Sequence, residues 1–214
     1  MPSNYSADPT TTKADAMAQI FTRDPQWPFL PSPGILQRED FGHLLNLRGL
    51  RGNAVEIGTH RGEFAEVILE RWEGCRLYCV DPWQDNLEGY SDYSTRNRNA
   101  DMEACKERLA RFCDRAQYMR MLSEEAAKSF EARSLDFVYI DGNHQYAFVR
   151  ADIELWWPRI RPRGILAGHD LNGDWGPGHV AKAVAEFGAE KGLPIYYMLG
   201  DAASWYCLKY DHEV

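Results

Sequence analysis

Two carboxylates stand out in this 214-residue chain because of what precedes each of them. Asp141 follows the apolar run LDFVYI, and Asp170 follows GILAGH. Each run reads as a buried parallel strand, so each acid lies at the carboxyl end of a strand. Neighbouring strand tips are about 5 Å apart. Two carboxylates there repel unless one is protonated or a cation bridges them. Their hard oxygens suit Mg²⁺ or another divalent cation, and His169, beside Asp170, moves the preference toward softer ions. Asp141, Asp170 and His169 are the candidate metal ligands. Asp141 has two other readings, as contact for the amino end of a cofactor or as a helix cap.

A second group lies upstream, in VEIGTHRGEF. Gly58 and Gly62 allow a tight turn and a close approach of backbone to ligand, and Glu56 puts a carboxylate at the same point. Asp81 ends the next apolar run, RLYCV, 25 positions after Glu56. An acid at that tip is placed to accept hydrogen bonds from ribose hydroxyls. Together these features favour an adenosine-type ligand. The dinucleotide fingerprint G-x-G-x-x-G fails, because positions 58, 60 and 63 are Gly, His and Glu. A carboxylate in the turn also suits a cationic or amino-acid ligand better than a pyrophosphate.

The elements that must position these residues alternate along the chain. Helical periodicity falls at 36–50, 63–72, 100–112, 124–130, 146–157 and 180–190. Strand-like runs fall at 53–58, 76–80, 117–122, 135–140 and 164–168. Alternating strands and helices imply a parallel sheet. Two final runs, 194–199 and 204–210, have only a short turn between them, which demands one antiparallel strand. Residues 1–35 are polar and then punctuated by Pro25, Pro28, Pro31 and Pro33. They form a tail and extended arm, with residues 36–214 as the domain. Trp27, Phe29 and Leu30 give the arm something to bury, against its own body or a partner subunit. A homodimer or larger homo-oligomer is expected.

Composition narrows the function classes. Hydrophobic residues make up 44% and charged residues 26%, which supports a folded core. Lys and Arg number 24 against 32 Asp and Glu, a net charge of −8. A broad basic face for nucleic acid or anionic lipid is not expected. No secretory signal, no run near 18 apolar residues and no CxxC pair occur. A cytoplasmic protein with five free thiols is expected.

The motifs EIGTHRG, DPW, VYIDGNH and GILAGHD, in that order, resemble the class I S-adenosylmethionine-dependent methyltransferases. The similarity covers residues 36–210 and is greatest to the branch with macrolide-sugar O-methyltransferases and cephalosporin-type enzymes. It implies an α/β, Rossmann-like, seven-stranded sheet in the order 3-2-1-4-5-7-6, with strand 7 antiparallel and helices on both faces. It implies S-adenosylmethionine as cofactor. Glu56, Gly58 and Gly62 then form the first cofactor loop, Asp81 holds the ribose, and Pro82 and Trp83 lead toward the adenine. Asp141 is a further cofactor contact. Ser123 lies where the family touches adenine, or else caps the next helix. In metal-dependent relatives the acid after strand four and an acid pair after strand five bind a divalent ion, which Asp141 and Asp170 match. His144, three residues after Asp141, sits where sugar O-methyltransferases carry their proposed general base, since a neutral imidazole can take a hydroxyl proton near pH 7. It could instead cap a helix or line the pocket.

The implied activity is O-methylation of a small-molecule hydroxyl, sugar or phenol-like, with divalent-metal assistance as an option. A nicotinamide-dependent oxidoreductase and a non-catalytic cofactor-binding protein are the alternatives. The insertion 83–100, with Tyr90, Tyr93, Arg96 and Arg98, reads as a lid over substrate or a surface loop. The loop 171–178, with Trp175, reads as a second wall.

Overall fold

Every residue of LDFVYI is buried, as a central parallel strand covered on both faces requires. Its side chains alternate between two cores. Val138 and Ile140 join Val55 and Ile57 in one cluster, while Phe137 and Tyr139 join Ala54 in the other. This period of two places a hydrophobic layer on each face of one sheet. The computed structural model describes residues 29–87, 97–171, 179–200 and 202–211.

Eight strands form the sheet: β1 (Phe29–Pro31), β2 (Asn53–Ile57), β3 (Arg76–Asp81), β4 (Ala116–Arg120), β5 (Leu135–Ile140), β6 (Ile160–Gly168), β7 (Ile195–Met198) and β8 (Ser204–Leu208). The helices are α1 (Phe41–Leu47), α2 (Glu63–Arg71), α3 (Arg98–Leu109), α4 (Ser123–Ala127), α5 (Tyr146–Trp156) and α6 (Val180–Lys191). The strand order is β1-β7-β8-β6-β5-β2-β3-β4, with β8 antiparallel to both its neighbours and the other pairs parallel. From β4 to β7 this is the expected order.

The difference is the eighth strand. The arm does not drape loosely, because Phe29, Leu30 and Pro31 pair with Ile195, Tyr196 and Tyr197 at the sheet edge. An edge tolerates Pro31, whose missing N–H costs no ladder bond on the open side. Phe29 is buried in its own sheet's core, the first of the two uses expected of the arm. Trp27 lies outside the described residues, as do Tyr90, Tyr93, Arg96 and Trp175. Arg98 is not a lid residue facing substrate. It opens α3, is buried, and lies 3.6 Å from the buried Asp101. All five cysteines are free. Among the described residues no helix is long and apolar enough to cross a membrane.

Candidate active site at the strand tips

The carboxyl ends of β2, β3, β5 and β6 are tied to one another past the last ladder residues. Gly58 N donates to Val80 O at 2.8 Å, Asp141 N to Ile57 O at 2.8 Å, and His169 N to Ile140 O at 3.1 Å. The turns that carry the chemistry are thus held in register by backbone bonds, where position is most reproducible. Gly58 makes this possible. Its φ is +85°, and a Cβ there would stand 2.1 Å from the Asp141 carbonyl oxygen. Any other residue would force the β2 and β5 tips apart.

Glu56 is buried at the end of β2, and its Oε2 is sealed from solvent without a hydrogen-bond partner among the described residues. Burial, then the charge of Asp141, pushes its carboxyl well above the usual carboxylate range. A buried acceptor with nothing to accept is rare in a finished structure and suits a donor supplied by a ligand. The ammonium of an amino-acid group is such a donor. With the close approach allowed at Gly58, these residues fit the methionine end of S-adenosylmethionine.

Asp81 is differently engaged. Its Oδ2 accepts from His60 N at 3.0 Å and its Oδ1 from Trp83 N at 2.7 Å. Burial raises its pKa, and those two amides pull it back. Each oxygen keeps a second lone pair for a ribose hydroxyl. The expectation for Trp83 needs correction. Its side chain is fully buried in the core, and its indole N–H is given to His60 O at 2.8 Å. Packed into the core in this way, the ring leaves no open face for an adenine. Pro82 instead lines a narrow cavity with Gly58, Val80, Ser123, Gly142, Asn143 and Asp152. Ser123 is the first residue of α4 and makes no capping bond. Its hydroxyl donates to Asp152 and accepts from Trp156 Nε1 at 2.8 Å.

At the β5 and β6 tips, Asp141, His144 and Asp170 bring ligand atoms within 4.8 Å of one another. His144 Nε2 is 3.0 Å from Asp170 Oδ2 and 3.8 Å from Asp141 Oδ1. Burial acts to lower the His144 pKa, but hydrogen bonds and charge from the two acids outweigh it and push it up to about 10. Burial likewise acts to raise Asp170, and His144 and His169 together hold it well below the usual range. His169, expected as the third ligand, stands outside this trio, with Nδ1 3.2 Å from Asp170 and 3.8 Å from Asp141. Asp170 has φ +54°, a left-handed conformation that aspartate tolerates better than most residues. Two carboxylates and an imidazole form a donor set that a divalent cation can occupy.

Two residues were not singled out from the sequence. Arg38 Nη1 lies 3.5 Å from Asp141 Oδ2, supplying a fixed positive charge beside the acids. It precedes the first long strand, and nothing in its local pattern marks it. Asp152 lies on the apolar stripe of α5 with Val149, Ile153 and Trp156. An acid on such a stripe is a legible signal.

A family model described as a methyltransferase domain matches residues 55–171, more than half of the chain. The chain belongs to this methyltransferase domain family. The matched span of the domain runs from within β2 to Leu171, past the Asp170 turn, and so includes the tips of β2, β3, β5 and β6. A curated relative, an uncharacterized protein of Sinorhizobium fredii, is 30% identical over 151 residues, which are 66% of this chain. The chain spans only 16% of that relative's length. Solved structures share the fold at low identity. An O-methyltransferase from Bacillus cereus, in complex with S-adenosylhomocysteine, superposes with a TM-score of 0.57 at 17% identity, covering 92% of this chain and 87% of that one. The O-methyltransferase NovP gives a TM-score of 0.59 at 13% identity, covering 81% and 78%. The methyltransferase domain thus shares the fold of these enzymes.

Proposed function

We propose that this domain transfers the methyl group of S-adenosylmethionine to a hydroxyl of a small molecule, sugar or phenol-like, with a divalent cation at the β5 and β6 tips. The observation that carries the reading is the pairing of two unfinished features. One is the partnerless Glu56 Oε2 beside the Gly58 turn, and the other is the Asp141–His144–Asp170 donor set on the adjacent tips.

The bound cofactor supplies an activated methyl group, which passes to the acceptor oxygen as the carbon–sulfur bond breaks. The chain's own residues then have two tasks, alignment and removal of one proton. Glu56 takes the cofactor's ammonium, and Asp81 takes its ribose hydroxyls. Asp141 and Asp170 would hold the cation, which would orient the acceptor hydroxyl and acidify it. His144 receives the hydroxyl proton at Nε2. Neutralising those acids returns His144 toward the range in which its imidazole is free to act as a base near pH 7. Arg38 steadies Asp141 from the opposite side.

The test is calorimetric titration with S-adenosylhomocysteine and NAD, followed by methyl transfer from labelled cofactor to panels of sugars and phenols. Binding of the first and not the second, and labelled product that disappears with chelator, is the expected result. NAD binding without S-adenosylhomocysteine binding would overturn the reading. Turnover that survives chelation would remove the cation from it.

A further inference from the structure

Helix α3 meets the turn that follows β2 with one of its faces. Asp101, Cys105 and Arg108 are spaced four and then three residues apart, so they line one side of the helix. Arg108 Nε donates to Arg61 O at 3.0 Å. Cys105 packs so closely that a Cβ at Gly62 would stand 3.0 Å from its Sγ. Asp101 takes the side chains of the turn. Its Oδ1 accepts from Arg61 Nε at 2.7 Å, and its Oδ2 lies 3.4 Å from His60 Nε2 and 3.6 Å from Arg98 Nη1.

Stability alone does not call for this cluster. Asp101 is buried, and a buried carboxylate with its cations is often no more stabilising than apolar side chains of similar volume. What the cluster fixes is backbone. His60 has φ +51° and Gly62 has φ +77°, and a left-handed histidine persists only where its surroundings hold it. His60 N is the amide that donates to Asp81 Oδ2 at 3.0 Å, and His60 O accepts from the Trp83 indole at 2.8 Å. The His60 side chain is thus held by Asp101 while its backbone sets Asp81.

We propose that Asp101 is a positioning residue for the cofactor's ribose. By holding His60 and Arg61, it fixes the amide that aims Asp81 at the two ribose hydroxyls. Asp101 acts through the turn and not on the ligand. The proposal rests on the cofactor reading above. It requires that the loss on removing Asp101 follow the hydroxyls, whereas a carboxylate that only stabilised the fold would affect every ligand alike.

The test is calorimetric titration of the full chain with S-adenosylhomocysteine and with its 2′,3′-dideoxy analogue, which lacks both hydroxyls. The wild type is expected to prefer the hydroxylated ligand by roughly tenfold to a hundredfold, the scale of a hydrogen bond to a charged acceptor. Asp101→Asn should weaken S-adenosylhomocysteine binding by about tenfold and leave the dideoxy analogue within about twofold of wild type, with an unchanged circular dichroism spectrum. His60→Asn should show the same selective loss and serves if the first variant does not fold. Asparagine tolerates the left-handed backbone but is too short to keep the contact with Asp101. A folded variant that keeps the wild-type preference overturns the proposal, as does equal loss of both ligands or a wild type that binds both alike. Failure of the wild type to bind S-adenosylhomocysteine overturns the cofactor reading itself, a different result.

Discussion

His144 Nε2 lies 3.0 Å from Asp170 Oδ2 and 3.8 Å from Asp141 Oδ1, so one imidazole spans the acids of two adjacent strand tips. The arrangement resolves the like-charge conflict that two neighbouring carboxylates create. Any cation entering the trio takes over that role from the imidazolium. Mn²⁺ should therefore bind the protein, as read by loss of the free-ion signal in electron paramagnetic resonance. Asp170→Asn should weaken that binding by roughly tenfold or more, since changing even a group behind a ligand costs about that much. A variant that binds Mn²⁺ as the wild type does would exclude Asp170 as a ligand.

Glu56 separates ligand binding from stability. Its buried carboxyl resists ionisation, so Glu56→Gln removes an acid without removing volume. Thermal stability should hold or rise. Affinity for S-adenosylhomocysteine should fall by about tenfold, because an amide, unlike the carboxyl, cannot ionise to pair with the arriving ammonium. Unchanged affinity by calorimetry would move the amino end of the ligand away from Glu56.

Asp81 behaves in the opposite way, because it already serves the fold. Asp81→Ala strands the amides of His60 and Trp83, both of which it accepts. The expected loss is about 1–3 kcal/mol of folding free energy per stranded group, together with weaker ligand binding. Asp81→Asn keeps acceptors for the turn at one oxygen only and should fall between. Urea denaturation measures the first effect and calorimetry the second. A stable Asp81→Ala variant would mean that the turn is held by other bonds.

What the sequence made legible follows from range. The parallel sheet and its one antiparallel strand could be read because each apolar run ends in a marked turn and alternation with helices leaves few topologies, whereas the strand order is implied only by the resemblance to known methyltransferases. The acids at 141 and 170 could be read because LDFVYI and GILAG have only one use. The eighth strand could not, since Phe29–Pro31 is three residues long, ends in proline, and gains its identity from Ile195–Tyr197 across the sheet. The third member of the acid cluster could not be fixed either. His144 and His169 each lie within 3.8 Å of both carboxylates, and which imidazole shares the trio depends on how the two tips fold against each other, which no spacing rule reports. Trp83 misleads because its ring packs into the core and gives its indole N–H to His60 O, contacts that no local spacing reports.

Asp152 gives a pH signature that needs no ligand. Its folded pKa of about 6 stands above the ordinary 3.8, and burial is the leading cause. Below the lower value the group is protonated whether the chain is folded or not, and its contribution to stability is intact. As pH rises past it, the unfolded chain ionises first and the folded state loses ground. The loss is complete once pH has passed the folded pKa, and it amounts to about 3 kcal/mol for a group only 8% exposed. Asparagine at this position does not titrate. The stability difference between Asp152→Asn and wild type should therefore shift in favour of the variant from pH 4 to pH 6.5 and stay level above that. Urea denaturation of both proteins across that range isolates the effect, because the other titrating groups are common to both and cancel in the difference. Parallel curves would mean that Asp152 ionises as freely in the folded chain as in the unfolded one.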